Sequence, residues 1–356
     1  MDCFCMEEAM TMGLSRIWVF AAIAGLAGGV FAATVDIEWV IVADHRNPND
    51  DTGFGSVASI YEIGKYEVTA AQYTAFLNAV AAADPHGLYA ADMWLSPYPC
   101  GIQRHGTPGA YSYTVEPDYA NRPVRHVSFW DACRFANWLN NDGGSTETGA
   151  YTLNNITNPD NASVVRRSTA KVFLPTLNEW YKAAYYDGQA KRYYDYATGT
   201  DVMPSLLLVD PDPGNNANYS MGLRQNSVGP PYWASEIGAF ENSASPYGTY
   251  DQSGNVWEWT EGLSGNKNRV ACGGAFGLGP EKLLFANRLE LDAKDWLPNV
   301  GFRVARVSTA ACGDPQHPYP TGDLNRDCYV NFDDMAILIA AWLNCTDPGP
   351  PCNYRP

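Results

Sequence analysis

The twelve residues from Asp323 to Asp334 place oxygen-bearing side chains where a calcium ion would need them. Asp323, Asn325, Asp327, Asn331 and Asp334 stand at loop positions 1, 3, 5, 9 and 12. Tyr329 at position 7 can offer its carbonyl, and apolar Val330 holds position 8. Calcium takes roughly six to eight hard oxygens in a flexible shell, and a loop that offers them at alternate positions supplies that shell. Cys328 stands at position 6, where glycine would ease the sharp turn. Other chemistries lack their spacing. There is no Cys-x-x-Cys or Cys/His zinc pattern, no Gly-x-Ser-x-Gly elbow, no P-loop and no dinucleotide fingerprint. His126, beside Val127 at a helix entrance, reads as a structural hydrogen-bonding group.

The elements that position these residues follow from apolar periodicity. Ile60–Ile63 and Tyr66–Val68 read as strand. Thr69 caps a helix over Ala70–Val80 whose apolar face carries Tyr73, Phe76, Leu77 and Val80. A second helix runs from Trp130 to Leu139. A third starts at the N-cap Thr176, with Glu179 at the capping-box position and Trp180, Ala183 and Ala184 following. Stretches 141–170 and 197–247 are polar and rich in Gly, Pro and Asn, and are expected to be long ordered loops. After the calcium-type loop comes a helix with Phe332, Met335, Leu338, Ile339 and Trp342 on its apolar face.

Five stretches carry a family likeness. They are Ile63-Gly64-Lys65-Tyr66-Glu67-Val68-Thr69; Arg122-Pro123-Val124 through Val127-Ser128-Phe129-Trp130-Asp131-Ala132; Leu174-Pro175-Thr176 through Glu179-Trp180; Asp251 with Gly254-Asn255-Val256-Trp257-Glu258-Trp259-Thr260; and Gly301-Phe302-Arg303. In that order they resemble the signatures of the formylglycine-generating enzymes, the sulfatase-modifying-factor family. The resemblance implies a mixed α+β fold with little regular secondary structure, akin to C-type lectins. It implies calcium held by the side chains of Asp251 and Glu258 and the carbonyls of Gly254 and Val256. A second calcium site of that family starts at an Asn–hydrophobic pair, which Asn218-Tyr219 could supply. A Gly-containing turn can point carbonyls inward, and two carboxylates offset a dication, so the first assignment is chemically sound.

The same family oxidises a substrate cysteine with two cysteines that hold copper(I) as soft thiolates. Those positions follow a Gly-Gly turn, here Gly273-Gly274-Ala275-Phe276, and fall on Leu278 and Leu283. Neither can ligate a metal. Relatives with a His-based iron site use an H-x-x-x-H spacing, which His45, His86, His105, His126 and His317 do not form. The loop and helix at 323–345 resemble one repeat of a type I dockerin, which implies docking to a cohesin-like partner. A lone repeat leaves its apolar face to pack on the main domain or on a second copy, or to be held by disulfides.

Charge and cysteines narrow the setting. The formal net charge of −16 argues against nucleic acid and against an anionic membrane surface as partners. The apolar run Ile17–Phe31 after Arg16 reads as an export signal cleaved after Ala32 or Ala33; Met12 would make a cleaner start, and a short membrane anchor is the competing reading. Of the seven cysteines that remain, Cys312, Cys328, Cys345 and Cys352 cluster near the C-terminus and read as disulfides in an oxidising compartment, with three pairings open. One of Cys100, Cys133 and Cys272 is then left over as a buried thiol.

The expected organisation is a signal over 1–32, a sulfatase-modifying-factor-like domain over 34–308, a linker over 309–322 and a calcium module over 323–356. The expected function is a secreted or periplasmic, calcium-binding, non-catalytic protein for binding or assembly. Tyr193, Tyr194, Tyr196 and Trp233 are candidates for a carbohydrate- or protein-binding surface. The alternatives are an oxygen-dependent oxidase or hydroxylase with another metal site, and an accessory subunit of an extracellular polysaccharide-degrading complex.

Overall fold

Three reciprocal capping boxes start the three main helices. Thr69 and Gln72 exchange side chain-to-backbone bonds at 2.9 and 3.1 Å, opening the helix Ala70–Val80. Ser128 and Asp131 do so at 2.8 and 3.2 Å for Phe129–Asn140, and Thr176 and Glu179 at 2.7 and 3.1 Å for Leu177–Tyr185. Each box satisfies two backbone N–H groups that a helix start leaves unpaired. The computed structural model describes residues 35–44, 46–222, 225–265, 268–308, 322–324 and 332–343. The expected export signal, most of the linker, the four C-terminal cysteines and calcium-loop residues Asn325, Asp327, Tyr329 and Asn331 lie outside them.

Two four-stranded sheets frame the core. In one, Trp39–Val42, Tyr61–Gly64, Ala305–Val307 and Val172–Phe173 lie side by side, all antiparallel. In the other, Leu289–Asp292, Asn268–Cys272 and Trp257–Ser264 are antiparallel, and Val300–Gly301 pairs parallel to Trp257–Glu258. The C-terminal Ala305–Val307 strand thus closes against strands from the start and the middle of the chain. Between the elements sits an aromatic core. Phe76 meets Phe135 at 5.3 Å and Trp138 at 5.4 Å, and Phe135 meets Phe302 at 5.3 Å. The fold is mixed α+β with little regular structure, as expected.

The strand expected over Tyr66–Val68 does not form. Lys65 and Val68 spend their polar groups on separate partners, Lys65 O accepting from Tyr250 N–H and Val68 N–H donating to Phe302 O, so no ladder runs through them. Both long loops are ordered by buried polar groups. Arg134 pairs with Glu147 at 2.8 Å, and Arg269 donates to the carbonyls of Asn161 and Val164 at 2.8 and 2.9 Å. In 197–247 the Asp212 carboxylate accepts from Gly214, Asn216, Asn242 and Ser243. Burial alone would raise its pKa, but those hydrogen bonds outweigh it and hold the group below the usual carboxylate range.

Near the C-terminus, the helix Phe332–Leu343 forms as expected. Met335, Leu338 and Ile339 on it are exposed. Among the described residues no helix is long and apolar enough to cross a membrane.

Candidate functional site

The turn that leads into the Trp257–Ser264 strand brings two separate sequence candidates together. Asp251, Gly254 and Asn255 all have positive φ, at 64°, 96° and 55°. A Cβ on Gly254 would strike the Asn218 carbonyl, so only glycine fits. Asn255 N–H donates to Asn218 O at 2.8 Å, and Asn218 Nδ2 donates to Asn255 Oδ1 at 3.1 Å. Asn218 therefore lies against the Gly254-Asn255 turn. Neighbouring Tyr219 turns into an apolar cluster and donates its hydroxyl to Pro204 O at 2.6 Å. Val256 is buried beside Ala234 and Phe276.

Below the turn lies a concentration of buried charge. Glu258 is fully buried, and its two oxygens meet Arg303 at 2.5 and 2.6 Å; Trp180 Nε1 donates to it at 2.7 Å. Glu67 is also buried. One of its oxygens accepts from Asn255 Nδ2 at 3.1 Å, and the other has no hydrogen-bond partner among the described residues. Burial, then the neighbouring charges of Asp251 and Glu258, push the Glu67 pKa well above the usual carboxylate range. Asp251 accepts from Gly238 N–H at 2.7 Å, and burial pushes it up to about 6. Three carboxylates thus share one guanidinium, leaving a formal excess of negative charge that needs protons or a cation.

The residues fit a hard cation in part. Glu67 Oε2 and Asn218 Oδ1 are buried oxygens without donors, on either side of Asn255. Glu258, an expected ligand, is committed to Arg303 and Trp180, whereas Asp251 spends one oxygen only on Gly238. Among the described residues no group of three His, Cys, Asp or Glu side chains is close enough to hold a metal by itself, so backbone and amide oxygens would have to complete any shell. Glu67 and Arg303 lie in the family-like stretches, yet neither is an expected ligand. Nothing in residue spacing says that positions so far apart share a buried centre.

The Gly273-Gly274 turn stacks directly against this region, with Gly254 N–H donating to Gly273 O at 2.7 Å and Phe276 N–H to Asn255 O at 2.8 Å. Beyond it, Leu283 is fully buried with Tyr196, Ala217 and Tyr219. Leu278 borders a cavity of about 350 Å³ whose other walls include Tyr98, Trp233, Phe276 and Pro298. Trp233 Nε1 and Asn226 Oδ1 at this cavity are buried without partners. Cys100, Cys133 and Cys272 are all free and buried, so none of the three is paired. Burial raises each of their pKa values, so they rest as thiols. His126 Nε2 donates to Tyr98 O, 3.0 Å away, and burial lowers its pKa to about 4, in keeping with a structural role. The aromatic candidates divide: Tyr193 and Tyr194 line a different cavity, Tyr196 is buried, and Trp233 lines the same cavity as Leu278.

The sulfatase-modifying factor enzyme 1-like domain model matches residues 22–308, most of the chain. The chain belongs to that family. The solved structure of CarF is similar to this sulfatase-modifying-factor chain at 22% identity and a TM-score of 0.53, covering 77% of this chain and all of CarF. Treponema denticola variable protein 1 matches at 18% identity, TM-score 0.48, over 78% of this chain and 97% of its own. PvdO from Pseudomonas aeruginosa matches at 17% and 0.44, over 78% and 97%. The CarF likeness, at 22% identity, shows the fold alone. No curated protein matches the sequence.

Proposed function

We propose that this member of the sulfatase-modifying-factor family is an exported, calcium-holding binding protein that does not generate formylglycine. The observation that carries the reading is the pair of leucines. At the positions where the family resemblance expects copper-binding thiols, Leu283 is sealed in an apolar cluster and Leu278 forms a cavity wall. Aliphatic carbons offer no lone pair to a metal. Cys272, before the turn, is buried as a thiol on the far side of two glycines in sequence.

Calcium is assigned to Asp251, Glu258 and the Gly254 and Val256 carbonyls, with Asn218 and Tyr219 as the second family position. The excess carboxylate around Arg303 and the donorless oxygens of Glu67 and Asn218 support a cation there. A further calcium is assigned to Asp323, Asn325, Asp327, Tyr329, Asn331 and Asp334. Asp334 Oδ1 accepts from Leu324 N–H at 2.6 Å, tying the two ends of that loop together as a cation cage needs. The exposed apolar side chains of the following helix suit a cohesin-like partner or a second copy. The cavity at Trp233 suits a carbohydrate or peptide group that can bond its unpaired donor and acceptor.

Two measurements test the reading together: metal content of the purified chain, and mass spectrometry of a cysteine-containing sulfatase peptide after incubation with it in oxygen. Calcium alone and an unchanged peptide are expected. Conversion of the cysteine, or stoichiometric copper or iron, would restore the oxidase reading.

A further inference from the structure

We infer that a second cavity, away from the turn at Leu278, binds an organic ammonium group such as a choline head or a lysine side chain. The cavity measures about 440 Å³, within the size range of small-molecule sites. Aromatic rings and carboxylates make up most of its lining, with no lysine or arginine among them.

The rings form inclined walls. Tyr181 and Phe285 meet edge to face, with centroids 3.9 Å apart and planes at 72°. Tyr193 stands 5.4 Å from Tyr181 at 37°. A flat sugar platform would want one open face, whereas rings inclined to one another surround a compact cation with several negative faces. These walls are held rigidly. Tyr193 Oη donates to Pro48 O at 2.8 Å, and Tyr181 Oη donates to Asp50.

Charge points the same way. Asp50 is satisfied by Tyr181 and by the Thr52 backbone and hydroxyl, but Asp51 and Asp195 have no ion-pair partner among the described residues and are exposed at the cavity. Two of the chain's own cations already stack on rings of this lining, Arg288 on Phe285 at 5.2 Å and Arg192, itself paired with Asp201, on Tyr194 at 4.8 Å, so these rings accept a positive group. A neutral ligand would gain from the rings but not from the two free carboxylates. An ammonium ion gains from both, and a quaternary head, with no N–H to keep solvated, gives up its water more readily than a lysine ammonium does.

The test is calorimetric titration of the purified full chain, in calcium, with choline and with N-acetyl-lysine methylamide, beside 3,3-dimethylbutanol, the neutral isostere of choline. At least one of the two cations is expected to bind about tenfold or more tighter than the isostere, a difference of about 1.4 kcal/mol. Which cation binds tighter tells a choline-type source from a lysine-type one. The Asp51→Asn/Asp195→Asn chain should lose about tenfold in affinity for that cation while its melting temperature stays within about 2 °C, because both side chains are exposed. Equal binding of the isostere, unchanged binding by the double variant, displacement by millimolar calcium, or no binding of either cation at roughly 50 mM would overturn the proposal.

Discussion

Glu258 and Arg303 face each other in a bidentate pair at 2.5 and 2.6 Å with no solvent reaching either side chain. Arg303 also donates to the carbonyls of Gly64, Lys65 and Tyr250, so one guanidinium joins the first sheet, the turn before Asp251 and the Trp257–Ser264 strand. Isolated in an apolar interior, either charge would be costly; together they form the centre on which the Gly254 turn rests.

Removing one partner should therefore be severe. In the metal-free protein, Arg303→Met leaves the buried Glu258 and Glu67, with half-buried Asp251 beside them, without their guanidinium. The expected loss is about 3–5 kcal/mol in urea unfolding monitored by tryptophan fluorescence. A loss below about 1 kcal/mol would mean that the pair does not hold the fold.

The acidity of this centre gives a pH dependence with a definite sign. Asp251 titrates at about 6 in the fold, against about 3.9 for an unstructured aspartate. Between those values the folded chain keeps a proton that the unfolded chain releases. Stability of the metal-free protein should thus fall as pH rises through that window, and level off above it. Melting in chelator at intervals from about pH 4 to 7 measures it. Asp251→Asn should flatten the curve relative to the parent, with the raised Glu67 accounting for what slope remains.

Calcium should reverse that loss. A ligand bound only by the folded chain stabilises it by about 2.7 kcal/mol at a hundredfold excess over its Kd. Adding calcium at pH 7 should raise the melting temperature, and chelator should lower it again. The gain should shrink in Asp251→Asn. An identical melting temperature with calcium and with chelator would remove the metal from the reading.

Gly254→Ala tests the turn without touching charge. The residue sits at φ 96°, and its added methyl would meet the Asn218 carbonyl. A cost of roughly 1–3 kcal/mol is expected from the backbone strain alone, measured by chemical denaturation, with the steric clash adding to it. Gly248→Ala, at φ 89° but with open space around it, should cost less.

Much of this protein could be read before any coordinates. The three main helices are legible because apolar period and caps are local, with the capping box at Thr176 and Glu179 spanning three residues; the boxes at Thr69 and Ser128 are findings of the structure. The family motifs are legible for the same reason, and their resemblance groups Asp251, Gly254 and Glu258, which the structure sets on a turn and the first residues of the strand after it. The strand expectation fails at Tyr66–Val68 because alternation over three residues cannot say whether a neighbouring strand exists to pair with. The aromatic candidates were also grouped too simply: Tyr193 and Trp233 belong to different cavities, and Tyr196 to neither.

What local pattern determined here is the helix starts, the α+β class and the family. Tertiary structure alone decided that Glu67 and Asn218 come to Asn255, that Arg303 returns to Glu258, and that Asp51 and Asp195 open onto the rings around Tyr181. Hydrogen-bond caps and hydrophobic period act over a few residues, so they leave a trace in sequence. Charge compensation in a buried centre depends on which distant segments the core draws together, and residue order carries no record of that until the chain has folded.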